Sequence, residues 1–282
     1  MRGTKLKSKK VAPLEDQNNS NVAVNDKDKA ELLSKQFEFI SSDENLEPEF
    51  REIKEKAKQD KYKLLAKEVC RHNIEYYNLP ISLKEMQEVL DNKKKSAPGE
   101  DAITYEIINQ TPPSFKLKIL ALFNAIWISG DISEQFKHAV VIPIYKQGKD
   151  KKDPASYRPI DLSLTSHLGK VLETIINKRL TYHLEANNLI SDTQAGFRKD
   201  RQPLDQIVAL ENSVKAAKTN SRTVGAIFLD LEKAYDTMWR EGLLIKLKKL
   251  GIKGLMYNYI ANFNQDRTFQ VRVGSSLSSL KK

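Results

Sequence analysis

Among 282 residues the chain holds a single cysteine, Cys70. One thiol can build neither a disulfide framework nor a thiolate metal site within the chain, so intracellular residence is the default expectation. Histidine is almost as sparse. His72, His138, His167 and His183 are scattered, and no two have the spacing that places paired zinc ligands on one helix. His183 fits the apolar spacing of its own helix and reads as a structural side chain. No apolar run reaches the roughly 18 residues that a membrane span requires. The basic opening MRGTKLKSKK lacks the apolar core of a secretory signal. Internal repeats and low-complexity tracts are absent as well.

What is present is apolar residue enough for a core, at 40%, beneath a strongly polar surface, at 30% charged. Lysine and arginine total 47 against 37 acids, a net charge of +10. That excess favours a polyanionic partner, although solvated lysines account for much of it equally well.

Residues 1–80 differ in texture from the rest. VAPLEDQNNSNVAV reads as two short extended pieces around a polar turn. NDKDKAELLSKQFEFI starts a helix, acidic in its first turn as the helix dipole favours. DENLEPEFREIKEKAKQDKYKLLAKEV is charge-dense and helical by pattern, which predicts a solvent-exposed arm. From residue 81 the pattern becomes globular. SLKEMQEVL opens with a capping box, Ser82 with Glu85, and sets Leu83, Met86 and Leu90 on one face. KKKSAPGEDAI is a loop, and Pro98–Gly99 reads simply as its turn. SFKLKILALFNAIWISG is an apolar helix that Gly130 can close. HAVVIPIYK and SYRPIDLSL flank a lysine-rich turn and predict a hairpin. SHLGKVLETIINKRLTYHL is amphipathic, with Leu168, Val171, Leu172, Ile175 and Ile176 inward. A loop, SDTQAGFRKDR, precedes the proline-started helix PLDQIVALENSVKAA. TVGAIFLDL then predicts a near-continuous apolar strand, buried on both faces. Two helices, REGLLIKLKKLG and GLMYNYIANF, separate it from a last strand, TFQVRV. The class is mixed α and β.

Three stretches carry candidate chemistry, and each has a plain structural alternative. In AIFLDLEKAYDTMW, Asp230 stands at the end of the apolar run. Phosphoryl transfer with two metal ions needs carboxylates that bridge both, and a strand end holds one rigidly, with the next carbonyl as a further hard ligand. Asp230 reads as readily as the cap of a following helix. The turn KQGKDKK collects Lys146, Lys149, Lys151 and Lys152, with Arg158 on the returning strand. Such a cluster suits a triphosphate, and it equally suits a solvated turn. In QAGFRKDR, Gly196 frees the backbone, while Arg198, Lys199 and Arg201 could track a phosphate backbone or merely decorate a helix linker.

In order and spacing, KKKSAPGEDAI, FKHAVVIPIYKQGK, SYRPIDLSLTSHLGKVLE, QAGFRKDRQPLDQI and AIFLDLEKAYDTMW resemble the LINE-like, jockey-type reverse transcriptases of non-LTR retrotransposons. The resemblance covers 81–274, and extends more loosely over APLED and DKAELLSKQF. It implies a right-hand polymerase: an N-terminal extension over 1–80, fingers over 81–202 and a partial palm over 203–282. By that resemblance Asp230 is the first catalytic metal ligand and Leu231 adds its backbone carbonyl. Tyr235 matches the aromatic gate against a ribose 2′-hydroxyl. Arg158 matches the fingers arginine on the incoming triphosphate, with Lys146 as its lysine partner and Lys149 and Lys151 as alternatives. Arg198, Lys199 and Arg201 fall to template or primer. Lys233 and Asp236 fall to anchoring the following helix. Magnesium, or manganese in its place, and dNTPs are the implied ligands; template RNA and a DNA primer or target are the implied partners, in nucleus or cytoplasm. Nothing in the resemblance sets an oligomeric state.

Two departures qualify the match. The family continues into a glycine-glutamine loop and a YADD hairpin, whereas this sequence stops at GSSLSSLKK and has no adjacent aspartate pair. The expectation is that the chain alone does not polymerise DNA. The alternative is a non-catalytic nucleic-acid-binding fragment, whose binding would fall with salt and survive Asp230→Ala without magnesium. An unrelated metal phosphohydrolase using Asp230 leaves the other motifs unexplained, and a decayed element would leave apolar sheet surface uncovered. Secondly, YRPIDLSLTS carries Asp161 and Leu162 where the family reads YRPISLTS. An insertion of even length preserves the face of every later strand residue. A smaller difference is Ala102, which replaces the family's usual glycine in GEDAI.

Overall fold

The structure, a computed structural model, describes residues 11–16, 21–65, 75–159, 163–231, 234–235 and 237–282. Its helices are α1 (Asp26–Ser41), α2 (Pro48–Leu65), α3 (Leu83–Asp91), α4 (Tyr105–Gln110), α5 (Pro113–Ser129), α6 (Glu134–Lys137), α7 (His167–Ala186), α8 (Pro203–Thr219), α9 (Arg240–Lys249) and α10 (Gly254–Phe263). Its strands are β1 (Leu14–Glu15), β2 (Val22–Ala23), β3 (His138–Val141), β4 (Ile144–Tyr145), β5 (Tyr157–Arg158), β6 (Ser163–Leu164), β7 (Thr268–Val273) and β8 (Ser276–Leu277). The mixed α and β class read from the sequence holds.

Local signals place most of these elements. The Asn25 side chain caps α1 by accepting from the Asp28 amide, and Asp26 and Asp28 sit in its first turn. Ser82 and Glu85 form the reciprocal capping box of α3. Gly130, at φ 72°, closes α5 in the left-handed region that favours glycine. The two extended pieces near the N-terminus pair antiparallel, Leu14 opposite Ala23.

The main sheet has the order β6-β3-β7-β8. β3 runs parallel to β7, with Val141 opposite Val271, and antiparallel to β6. Alternation along the strands sends Val141, Val271 and Val273 to one face. There they meet Leu14, Tyr157 and the Ala30, Leu33 and Phe37 stripe of α1 in one buried cluster. Helix α1 therefore shares a core with β7, across the composition change at residue 80. A larger, helical core joins α3, α5, α7, α9 and α10 through Met86, Phe123, Trp127, Leu172, Leu247 and Met256.

Two expectations change. The charge-dense arm is helical, but it is not simply exposed: Lys54 is buried and ion-paired with Asp43 at 2.5 Å, and Phe50 meets Trp239 edge-on at 5.9 Å. TVGAIFLDL departs further, for residues 222–231 form no strand. Ile227, Phe228 and Leu229 are 88%, 83% and 90% exposed. A strand buried on both faces needs a hydrogen-bonded neighbour and a layer on each side. The positions beside β3 and β7 are occupied by β6 and β8, and the preceding α8 buries no residue. An apolar run states a need for cover without naming what supplies it.

Candidate nucleotide and nucleic-acid site

The lysine-rich turn lies at the end of a real hairpin. Ile144 pairs with Arg158 and Tyr145 with Tyr157, and the Lys146 amide donates to the Ser156 carbonyl at 2.8 Å. Directly opposed residues share a face, as do alternate residues on one strand. Lys146 and Arg158 therefore stand on the same face as diagonal neighbours, a spacing of roughly 7–8 Å. The other face belongs to Tyr145 and Tyr157, whose ring centroids are 5.7 Å apart. Tyr157 is buried against the α1 cluster, and burial pushes its phenol above the ordinary range. Its hydroxyl donates to the Lys151 carbonyl at 2.9 Å. The hairpin thus rests on tyrosine and turns a cationic face outward.

The remaining lysines of the turn differ from Lys146. Lys152 pairs with Glu15 at 2.8 Å, and the Lys151 ammonium lies 5.7 Å from the Tyr145 ring centroid. Lys149 is exposed, and its carbonyl accepts from the Tyr145 hydroxyl. Lys146 donates to the Ala155 carbonyl at 3.1 Å, and Arg158 is exposed.

The ladders flanking this hairpin register the extra residues. Beyond it, Val141 pairs with Ser163 and Val140 with Leu164. Between the two ladders the outgoing strand has residues 142–143, whereas the return has 159–162. The surplus is two, an even number, so the alternation of faces is retained. Asp161 and Leu162 themselves, with Ile160, lie outside the described residues.

In the QAGFRKDR loop, Arg198 faces inward. Its guanidinium forks onto Glu185, Nε to Oε1 at 2.9 Å and Nη2 to Oε2 at 2.7 Å. Nη1 donates to the carbonyls of Ser191 at 2.8 Å and Gln194 at 3.3 Å. These contacts make Arg198 the staple of its own loop rather than an open phosphate ligand. Lys199 is exposed, and Arg201 reaches Asp192 at 3.2 Å.

Asp230 is exposed on irregular backbone, as are Leu231 and Tyr235. Glu232, Lys233 and Asp236 lie outside the described residues. A divalent ion of the magnesium type takes about six oxygen ligands. Asp230 and the Leu231 carbonyl offer too few, and among the described residues no three His, Cys, Asp or Glu side chains gather to hold one. These residues alone do not make a divalent-ion site.

Comparison with known proteins gives these positions a context. Residues 149–280 match the family model described as reverse transcriptase (RNA-dependent DNA polymerase). The RNA-directed DNA polymerase from the mobile element jockey of Drosophila melanogaster is 32% identical over 230 residues, which is 78% of this chain and 25% of that protein. Its counterpart from Drosophila funebris is 34% identical over 203 residues, 72% of this chain and 22% of that protein. The chain belongs to the non-LTR retrotransposon reverse transcriptases. A more distant similarity, 28% over 205 residues, is to the retrovirus-related Pol polyprotein from the type-1 retrotransposable element R2 of Popillia japonica, covering 72% of this chain and 27% of that protein. The chain therefore spans about a quarter of the length of these relatives.

The stretch matched to the reverse transcriptase family takes in Arg158, Arg198, Asp230 and Tyr235 and begins just after Lys146. Reading the sequence as residues and turns missed two features. Gly99 is more than a turn residue: a Cβ there would come within 2.8 Å of backbone atoms of Thr165 and Ser166. The SAPG loop thus docks backbone-to-backbone at the start of α7. His167 completes the contact, its Nε2 3.1 Å from both the Ala97 carbonyl and the Ser96 hydroxyl, while its ring stacks on Tyr105 at 3.9 Å. Because a carbonyl only accepts, Nε2 carries the proton. Burial holds the His167 pKa below its ordinary value. Pattern alone could not show this, since the partners lie about 70 residues apart. The second missed feature is Phe197, an apolar residue set among charges.

Proposed function

We propose that this chain carries part of the fingers and palm of an RNA-directed DNA polymerase, with fingers over 81–202, partial palm over 203–282 and residues 1–80 as an extension. The reaction of such an enzyme is attack of a primer 3′-hydroxyl on the α-phosphate of a dNTP, with pyrophosphate leaving. Lys146 and Arg158 bind the triphosphate, one as a point charge and the other as a fork. Tyr235 stands against a ribose 2′-hydroxyl. Asp230 and the Leu231 carbonyl would offer two of the oxygens that magnesium or manganese takes, and further carboxylates would be needed to complete the set. Lys199 and Arg201 meet the backbone of template RNA or DNA primer, and Arg198 fixes the loop that carries them. Nucleus and cytoplasm both suit such an enzyme, the nucleus offering chromosomal nicks for priming.

The observation that carries this reading is the shared outward face of Lys146 and Arg158, on a hairpin held from behind by buried tyrosine. The test is photocrosslinking of the chain to an azido-dATP. Lys146→Ala and Arg158→Ala should each lower labelling about tenfold, the range of one charge-assisted hydrogen bond. Arg158→Lys should not restore it, because the fork is lost. Labelling that both alanine variants leave intact would refute the assignment.

A further inference from the structure

The backbone of Phe197 is left-handed, at φ 60°, and its side chain is 93% exposed. A bulky aromatic residue rarely adopts that conformation, and a surrounding that fixes it is needed for it to persist. The surrounding is visible. Arg198, only 10% exposed, ties Glu185 to the carbonyls of Ser191 and Gln194. The Gln194 amide donates to the Gly196 carbonyl at 3.2 Å, and the Gln194 backbone amide to Ser191 at 3.0 Å. The loop is braced on both sides of Phe197, and the bracing holds the phenyl ring out in solvent.

We infer that Phe197 is a stacking platform for an unpaired base of a single-stranded nucleic acid. A ring with an open face, beside cations that can follow a backbone, is the arrangement by which proteins hold single strands without reading sequence. Lys199 is exposed two residues on, and Arg201 follows. The immediate neighbours, Gln194 to Gly196 and Arg198 to Gln202, include no large apolar side chain. A protein interface would centre on a contiguous apolar core; exposed apolar side chains resume only at Leu204 on α8, and association through that face is told apart by the test below. Base stacking needs only one exposed ring. The inference deepens the polymerase reading and rests on it, naming an unpaired template base as what this loop holds.

The experiment measures binding of the full chain to an oligoribonucleotide of about a dozen residues, within the usual length of a single-strand site. The strand carries 2-aminopurine, whose fluorescence is quenched on stacking, and binding is measured across a salt series. Phe197→Ala should weaken binding about five- to a hundred-fold, the effect of losing one base–ring stack, and abolish the quench. The slope of affinity against salt should stay the same, because no ion contact is removed. Phe197→Trp should retain both affinity and quench. Phe197→Gly should weaken binding while raising the melting temperature, because glycine relaxes the left-handed backbone. Unchanged binding by Phe197→Ala overturns the inference alone, leaving the polymerase reading in place. Loss with a shallower salt slope, or an equal loss on duplex RNA, also overturns it, as does a change confined to self-association. A wild-type chain that binds no single strand overturns both.

Discussion

Arg179 on α7 shows how much one side chain can join. Its guanidinium forks onto Glu85 of α3 at 2.6 and 2.8 Å and donates to the carbonyls of Tyr77, Leu79 and Pro80. Glu85 also serves the capping box through Ser82. Partial burial works against its charge, but the Arg179 and Ser82 bonds prevail and its pKa falls below the ordinary 4.5. A carboxylate with a lowered folded-state pKa gives stability that is full above the unfolded value and lost as pH falls through the folded one. Urea unfolding should therefore show the contribution intact at neutral pH and declining once pH drops below 4.5. Glu85→Gln should flatten that acid limb. Arg179→Met should cost about 3 kcal/mol at neutral pH, because Glu85 would keep a half-buried charge without its partner. A wild-type acid limb reproduced by Glu85→Gln would disprove the linkage. At this scale the sequence disclosed Ser82 with Glu85, because capping is a three-residue pattern. It concealed Arg198, whose partner Glu185 is set by the fold and makes the arginine a staple.

At the scale of elements, the hairpin was legible because β-rich runs flanked a polar turn. Its cationic face follows from parity alone. Removing Asp161 and Leu162 together keeps the alternation of both ladders, so triphosphate crosslinking should remain near wild type. Removing one of them sets the two ladders out of phase, and crosslinking should fall with the lost alignment of Arg158. Equal labelling by the two deletions would show that register does not matter here. The run TVGAIFLDL was misread as a buried strand for a physical reason. Its composition meets the condition for burial on both faces, but burial is a property of neighbours, and the described sheet places none beside it. Asp230 and Tyr235, expected at its end, inherit that openness.

At the scale of the molecule, exposed apolar surface and positive charge oppose each other. Ile227, Phe228 and Leu229 stand open, and Leu204, Ile207 and Val214 of α8 are exposed as well. A net charge of +10 keeps copies apart at low salt. Screening shortens that repulsion to about 8 Å at physiological ionic strength. Sedimentation should accordingly show association rising with salt. Ile227→Lys with Phe228→Lys should restore the monomer and leave unfolding free energy within about 0.5 kcal/mol, because neither residue is buried. Salt-induced association undiminished in the double variant would place the sticky surface elsewhere.

The packing of α1 on the last hairpin also has a consequence in time. The Lys27 ammonium donates to the Leu277 carbonyl, 250 residues away, and Glu31 accepts from the Ser279 amide and hydroxyl. At a synthesis rate of about 5–20 residues per second, that interval is roughly 10–50 s. For that long a nascent chain must carry the Leu33 and Phe37 stripe without its β7 partner, and a product ending early would never bury it there. Helix α1 is thus housed on β7 and β8 only after some 250 further residues have been made.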